Sequence, residues 1–257
     1  MLRSQSVYSA PSLAKGFSLI EMMVSITIGM IVAAGAVMLI VAIDRSNSET
    51  IQSTRINQEL RALSSVIADE IKRARRLHDP VASVGQGATA NSAFDFVDTS
   101  QSNSVAGDCI IYGYQDTPLN DGGANEEFEN YYEAIYLTTT SGVGSVKFAR
   151  LKKTKADMVG VADPTSLALG CTDAANTGSG ATTIALTSPQ INVTALSFSC
   201  VTLVGANVTP ALTKSASCNQ IDMSLTAKLL SGDTVTKNIS HTYVQQVFIR
   251  SGAVKTS

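Results

Sequence analysis

The sequence has no tryptophan, only two histidines and only four cysteines in 257 residues. His78 and His241 stand far apart, and no two of the cysteines have a CxxC spacing, so neither a zinc site nor a Ser-His-Asp set can be assembled. A phosphate loop and a Gly-x-Ser-x-Gly turn are also missing. The sequence therefore offers no catalytic residue, no metal ligands and no cofactor. No sign of charge dominates: 19 basic residues face 21 acidic ones, which argues against a nucleic-acid partner. Proline is absent from Phe17 to Leu77, so nothing in that range forbids one long helix.

Charge is absent altogether from Met22 to Ile43. That block of about 22 positions spans roughly 33 Å as a helix, enough for a bilayer core of about 30 Å. Glu21 stands at its edge, where an acid costs up to about 2.5–3.5 kcal/mol on insertion scales. Arg3 and Lys15 lie before the block without an acid, whereas Asp44, Arg45 and Glu49 follow it, so the positive-inside rule places the N-terminus in the cytoplasm. Ala34-Gly35-Ala36 offers a small-residue site for ordinary signal cleavage, but the apolar run continues past it to Ile43 and Glu21 interrupts the usual pattern.

Gly16-Phe17-Ser18-Leu19-Ile20-Glu21, followed by the apolar block, resembles the prepilin motif of type IV pilins and type II secretion pseudopilins. The resemblance implies cleavage between Gly16 and Phe17 by a prepilin peptidase and N-methylation of Phe17. It also implies that Glu21 neutralises the Phe17 ammonium of a neighbouring subunit. An amine and a carboxylate are each expensive in hydrocarbon and tolerable as a pair.

Beyond the apolar block, Ile56, Leu60, Leu63, Ile67, Ile71 and Ala74 recur at spacings of four and three, an amphipathic stripe. Lys72, Arg73, Arg75 and Arg76 crowd the last turns and read as a solvated face matched to the helix dipole, with His78-Asp79 before the Pro80 stop. Gly29 and Gly35 are weak points of the helix, costing up to about 1 kcal/mol each relative to Ala.

The remainder reads as strands: a short one at 93–97, then 109–114, 131–139, 145–151, 182–186, 191–200, 221–230 and 234–249. Hairpins are expected at Ser141-Gly142-Val143-Gly144 and at Ser231-Gly232-Asp233. The fold class is α+β, a long N-terminal helix packed on an antiparallel β-sheet head. Segments 81–107 and 154–181 are small and polar and read as loops, apart from that short first strand. The acidic stretch Asp116, Asp121, Glu126, Glu127 and Glu129 fails the EF-hand spacing and reads as a hairpin loop. Cys109, Cys171, Cys200 and Cys218 read as two disulfides formed outside the cytoplasm. Three pairings are open, and Cys200 with Cys218, which closes a short loop, is favoured, leaving Cys109 with Cys171.

The closing strands around Ile191–Phe198, Ile221–Ala227 and Val247–Arg250 resemble loosely those of PilW-type minor pilins and J-type minor pseudopilins. The resemblances imply a leader at 1–16, a transmembrane and filament-core helix at 17–43, an amphipathic continuation at 44–79 and a β-rich head at 80–257. They imply a minor pilin that acts in pilus assembly, with other major and minor pilins and the prepilin peptidase as partners. Its expected location is the inner membrane, single-pass, and then the pilus or periplasm. A J-type pseudopilin and a membrane-anchored adhesin head are the alternatives.

Overall fold

The apolar periodicity of residues 56–74 becomes the spine of the head. The computed structural model describes residues 16–74, 97–99, 103, 107–116, 129–153, 169–202, 207–208, 218–230 and 240–249. The chain divides into two units, Met1–Ile51 and Gln52–Ser257. Helix α1 (Leu19–Ile71) begins in the first unit and ends in the second. In the first unit its residues are exposed, and an all-round apolar surface of that kind calls for a membrane or other helices around it. The helix is long and apolar enough to cross a membrane. It runs unbroken through Gly29 and Gly35, and a Cβ at either would meet nothing.

In the second unit the helix is one-sided. Ile56, Leu60, Leu63, Ile67 and Ile71 are buried, as is Ala74 just past the helix end. Each buried Ile or Leu contributes about 1.5–3 kcal/mol. Ser64 and Ala68 are buried as well, because they share that stripe at helical spacing. Of the basic cluster, Lys72 and Arg73 are exposed, as expected of a solvated face. Lys72 pairs with Asp69 at 2.8 Å and Arg73 with Glu70 at 3.3 Å. Arg75, Arg76, His78 and Pro80 lie outside the described residues.

Among the described residues the head's strands form two antiparallel sheets. The first takes strands β1 (Val97–Asp98), β2 (Cys109–Asp116), β3 (Glu129–Thr140), β4 (Val143–Lys153) and β5 (Thr182–Ala185), in sequence order. The second takes β6 (Ile191–Thr202), β7 (Asn207–Val208), β8 (Cys218–Leu229) and β9 (Ser240–Phe248), in the order β7-β6-β8-β9. Ser141 and Gly142 carry φ of 53° and 80°, the left-handed pair of a two-residue hairpin turn, and Thr140 pairs with Val143 across it. Asp116 pairs with Glu129, so most of the acidic stretch forms the β2–β3 connection. Its interior, the expected Ser231–Asp233 turn and residues 93–96 lie outside the described residues.

The two sheets meet where β4 begins. The Gly144 N–H donates to Asn192 Oδ1 at 2.8 Å, and a Cβ on Gly144 would fall 1.9 Å from the Val193 carbonyl oxygen. Only glycine fits that approach. One β6 residue further on, the register with β8 shifts between Val193 and Ala195.

The five-stranded sheet is buried on both faces. One face presents Ile110, Tyr112, Ile135 and Phe148 to the core that α1 shares with the second sheet. The other packs Ile111, Ala134, Tyr136 and Ala149 beneath the segment 169–181. That segment was expected to be loop and contains a short helix, α2 (Asp173–Ser179). Thr172 caps its start by accepting from the Ala175 N–H, and Gly180, at φ 77°, closes its end. The Cys109–Cys171 disulfide ties this cover to β2, and Cys200–Cys218 joins β6 to β8.

Candidate functional site

Two constellations in the described residues combine charge with unusual surroundings. The first is the start of α1. The Ser18 carbonyl accepts the Met22 N–H at 3.1 Å, so helical hydrogen bonding begins there and Glu21 falls in the first turn. The partial positive charge of a helix N-terminus favours a carboxylate at that place. Phe17 lies immediately outside the helix, 86% exposed, with Gly16 beside it in open space.

The other polar side chains of the apolar block look after themselves. Ser25 Oγ donates to the Glu21 carbonyl at 2.7 Å, and Thr27 Oγ1 donates to the Val24 carbonyl at 2.8 Å. Hydroxyls bonded to their own helix need no outside partner in lipid. Glu21 is thus the one group from Leu19 to Ile43 whose charge calls for a partner from elsewhere. Gly16, Phe17 and Glu21 are neighbours by chain adjacency alone, the first two ahead of the helix and Glu21 in its first turn.

The second constellation was missed by the sequence reading. Glu133 on β3 is fully buried. It accepts from Tyr112 Oη at 2.7 Å, from Tyr114 Oη at 2.9 Å and from Arg150 Nε at 2.6 Å. Arg150 also lies 3.6 Å from Glu70, which holds Arg73. Its guanidinium sits over the rings of Tyr131 and Phe148, at 5.5 and 5.2 Å from their centroids. Burial pushes the Glu133 carboxyl above its ordinary range, although Tyr112, Arg150 and Tyr114 all pull it down.

A signal for this cluster did exist. A two-residue turn at Ser141-Gly142 fixes the β3–β4 register and sets Glu133 directly opposite Arg150. The cluster ties the end of α1 to three strands and holds no nucleophile beside a base. Among the described residues no group of three or more His, Cys, Asp or Glu could hold a metal ion. His241 lies on β9 with Nε2 3.1 Å from Ser53 Oγ of α1.

Residues 49–248 match the family model described as prepilin peptidase-dependent protein B. Residues 12–37 match the one described as prokaryotic N-terminal methylation motif. No curated protein and no solved structure matches the chain.

Proposed function

The chain belongs to the prepilin peptidase-dependent protein B family of pilin-type subunits, and from that premise we propose that it is a minor pilin of a type IV pilus, acting in assembly. Residues 1–16 are the leader, removed between Gly16 and Phe17. Residues 17–43 are the membrane and filament-core helix, 44–79 carry the helix into the head, and 80–257 form the head. Before assembly the chain spans the inner membrane once with its N-terminus inside, and afterwards the head is outside among other pilins.

The observation that carries this reading is Glu21 in the first turn of an otherwise uncharged helix whose hydroxyls are already bonded. Cleavage before Phe17 creates an ammonium at the positive end of that helix, where its own dipole disfavours it. A carboxylate from an adjoining subunit removes the cost on both sides, since either charge alone in hydrocarbon is expensive. Methylation of Phe17 leaves the positive charge in place, so the pair survives it. Docking through Glu21 thereby fixes the axial register between neighbouring helices.

Glu21→Ala is the test. The variant should insert and be cut and methylated at Phe17, as mass spectrometry of the N-terminus would show, yet fail to support piliation. Normal piliation would reject the charge-pairing role, and an uncut Met1 terminus in the native protein would reject processing itself.

A further inference from the structure

The two sheets have four edges among the described residues, and three are short. β1 and β7 are two residues each and β5 is four, whereas β9 is nine. Natural sheets protect a long edge with lysine, proline, a bulge or inward charge. Ser240–Phe248 reads Ser-His-Thr-Tyr-Val-Gln-Gln-Val-Phe, with no lysine, arginine, acid or proline, and its register with β8 is unbroken.

The direction of its backbone groups follows from one bond. The Ile249 N–H donates to the Asn219 carbonyl at 2.9 Å, on the same ladder. Backbone groups alternate along an antiparallel strand, so those of Tyr243, Gln245 and Val247 face β8. Those of Ser240, Thr242, Val244, Gln246 and Phe248 therefore face away from it, and none of the described residues pairs with them as a strand. The same even-numbered residues carry the exposed side chains: Val244 is 67% exposed and Phe248 68%. The odd-numbered ones turn inward, where Gln245 accepts from Ser64 of α1 and Val247 is buried.

We propose that the outer edge of β9 receives an extended, uncharged segment of another pilin-type subunit, which joins the four-stranded sheet as a fifth strand. This rests on the reading of the chain as a filament subunit. A row of alternating N–H and C=O groups is satisfied fully only by another extended backbone. The absence of charge along the edge calls for a segment equally free of it, with apolar side chains beside Val244 and Phe248. A second copy of this chain pairing through the same edge would show as protection that depends on concentration.

The test compares hydrogen exchange of the full-length protein in detergent, alone and in complex with the pilin-type subunits coexpressed from its own gene cluster. The amides of Thr242, Val244, Gln246 and Phe248 should exchange rapidly alone and slow by at least about 100-fold in the complex. Gln246→Pro and Val244→Lys should leave the disulfides and the exchange of the odd-numbered β9 amides unchanged, because the Gln246 N–H faces outward. Both should cut the recovery of partner subunits by about tenfold. Slow exchange of the even-numbered amides in the isolated monomer would overturn the proposal, as would concentration-dependent protection from self-pairing, or unchanged exchange in a complex that does form. If the wild-type protein retained no pilin-type subunit, the filament reading would fail and this inference with it.

Discussion

The Glu133 carboxylate sits 2.6 Å from Arg150 Nε at a point that solvent does not reach. Breaking such a pair from one side is costly, because the survivor keeps its charge without its partner. Because Arg150 is itself about a third exposed and Tyr112 and Tyr114 still donate to Glu133, Arg150→Ala should destabilise the full-length protein by about 1–3 kcal/mol. Replacing both residues by apolar ones of similar size should cost less than Arg150→Ala alone. Thermal unfolding followed by near-ultraviolet circular dichroism in detergent would measure both, and a milder effect for the single change than for the double would contradict the account.

Gly144→Ala places a methyl group against the Val193 carbonyl, a backbone atom that cannot swing aside. Forcing the sheets apart there should cost about 1–3 kcal/mol or more. Gly178→Ala, in the exposed α2 helix where a Cβ meets nothing, should be neutral or gain up to about 1 kcal/mol. Equal losses at the two positions in a denaturant titration would discredit the close approach.

Removing the two disulfides should rank by the chain each one closes. Cys109 and Cys171 are 62 residues apart in sequence, and Cys200 and Cys218 are 18 apart. Chain entropy assigns about 4 kcal/mol to the longer loop and about 3 kcal/mol to the shorter. Paired serine substitutions should show the Cys109–Cys171 loss to be the larger, both in unfolding midpoint and in protease attack on residues 169–181.

Asp173 offers a test by pH. Burial works to raise its carboxyl, but hydrogen bonds from Lys147 at 2.5 Å and Tyr136 at 2.7 Å hold it below its ordinary value. A depressed carboxyl contributes stability that is complete above its unfolded value and is lost as pH falls through the folded one. The difference in unfolding midpoint between wild type and Asp173→Asn should thus be full at neutral pH and shrink below about pH 4. A difference that persisted unchanged down to pH 2 would exclude this pairing as its source.

What could be read in the sequence was local. The uncharged block, the six-residue stripe from Ile56 to Ala74 and a turn within Ser141–Gly144 each announce themselves within a few residues and have counterparts in the fold, although the turn itself is only Ser141 and Gly142 and the next two residues already belong to β4. Strand ends ran further than expected, as in β2, where Gln115 and Asp116 continue the ladder because β3 offers partners to the end. Helix α2 was missed because seven residues are too few for a period, and only Thr172 and Gly180 mark it. The β3–β4 turn could have set Glu133 opposite Arg150, but Tyr112 and Tyr114 of β2 and Glu70 of α1 reach the cluster through pairings that no window of sequence contains. Val244 and Val247 look alike as letters, yet the first faces solvent and the second the core.

The bond between Cys109 and Cys171 has a bearing on when folding ends as well as on how firmly. It fastens residues 169–181 over the outer face of the five-stranded sheet, across a long stretch of intervening chain. That bond closes only where an oxidant is at hand. Completion of the head is therefore timed by the redox state of its surroundings, and a chain kept among reductants would hold that covering segment by weak contacts alone.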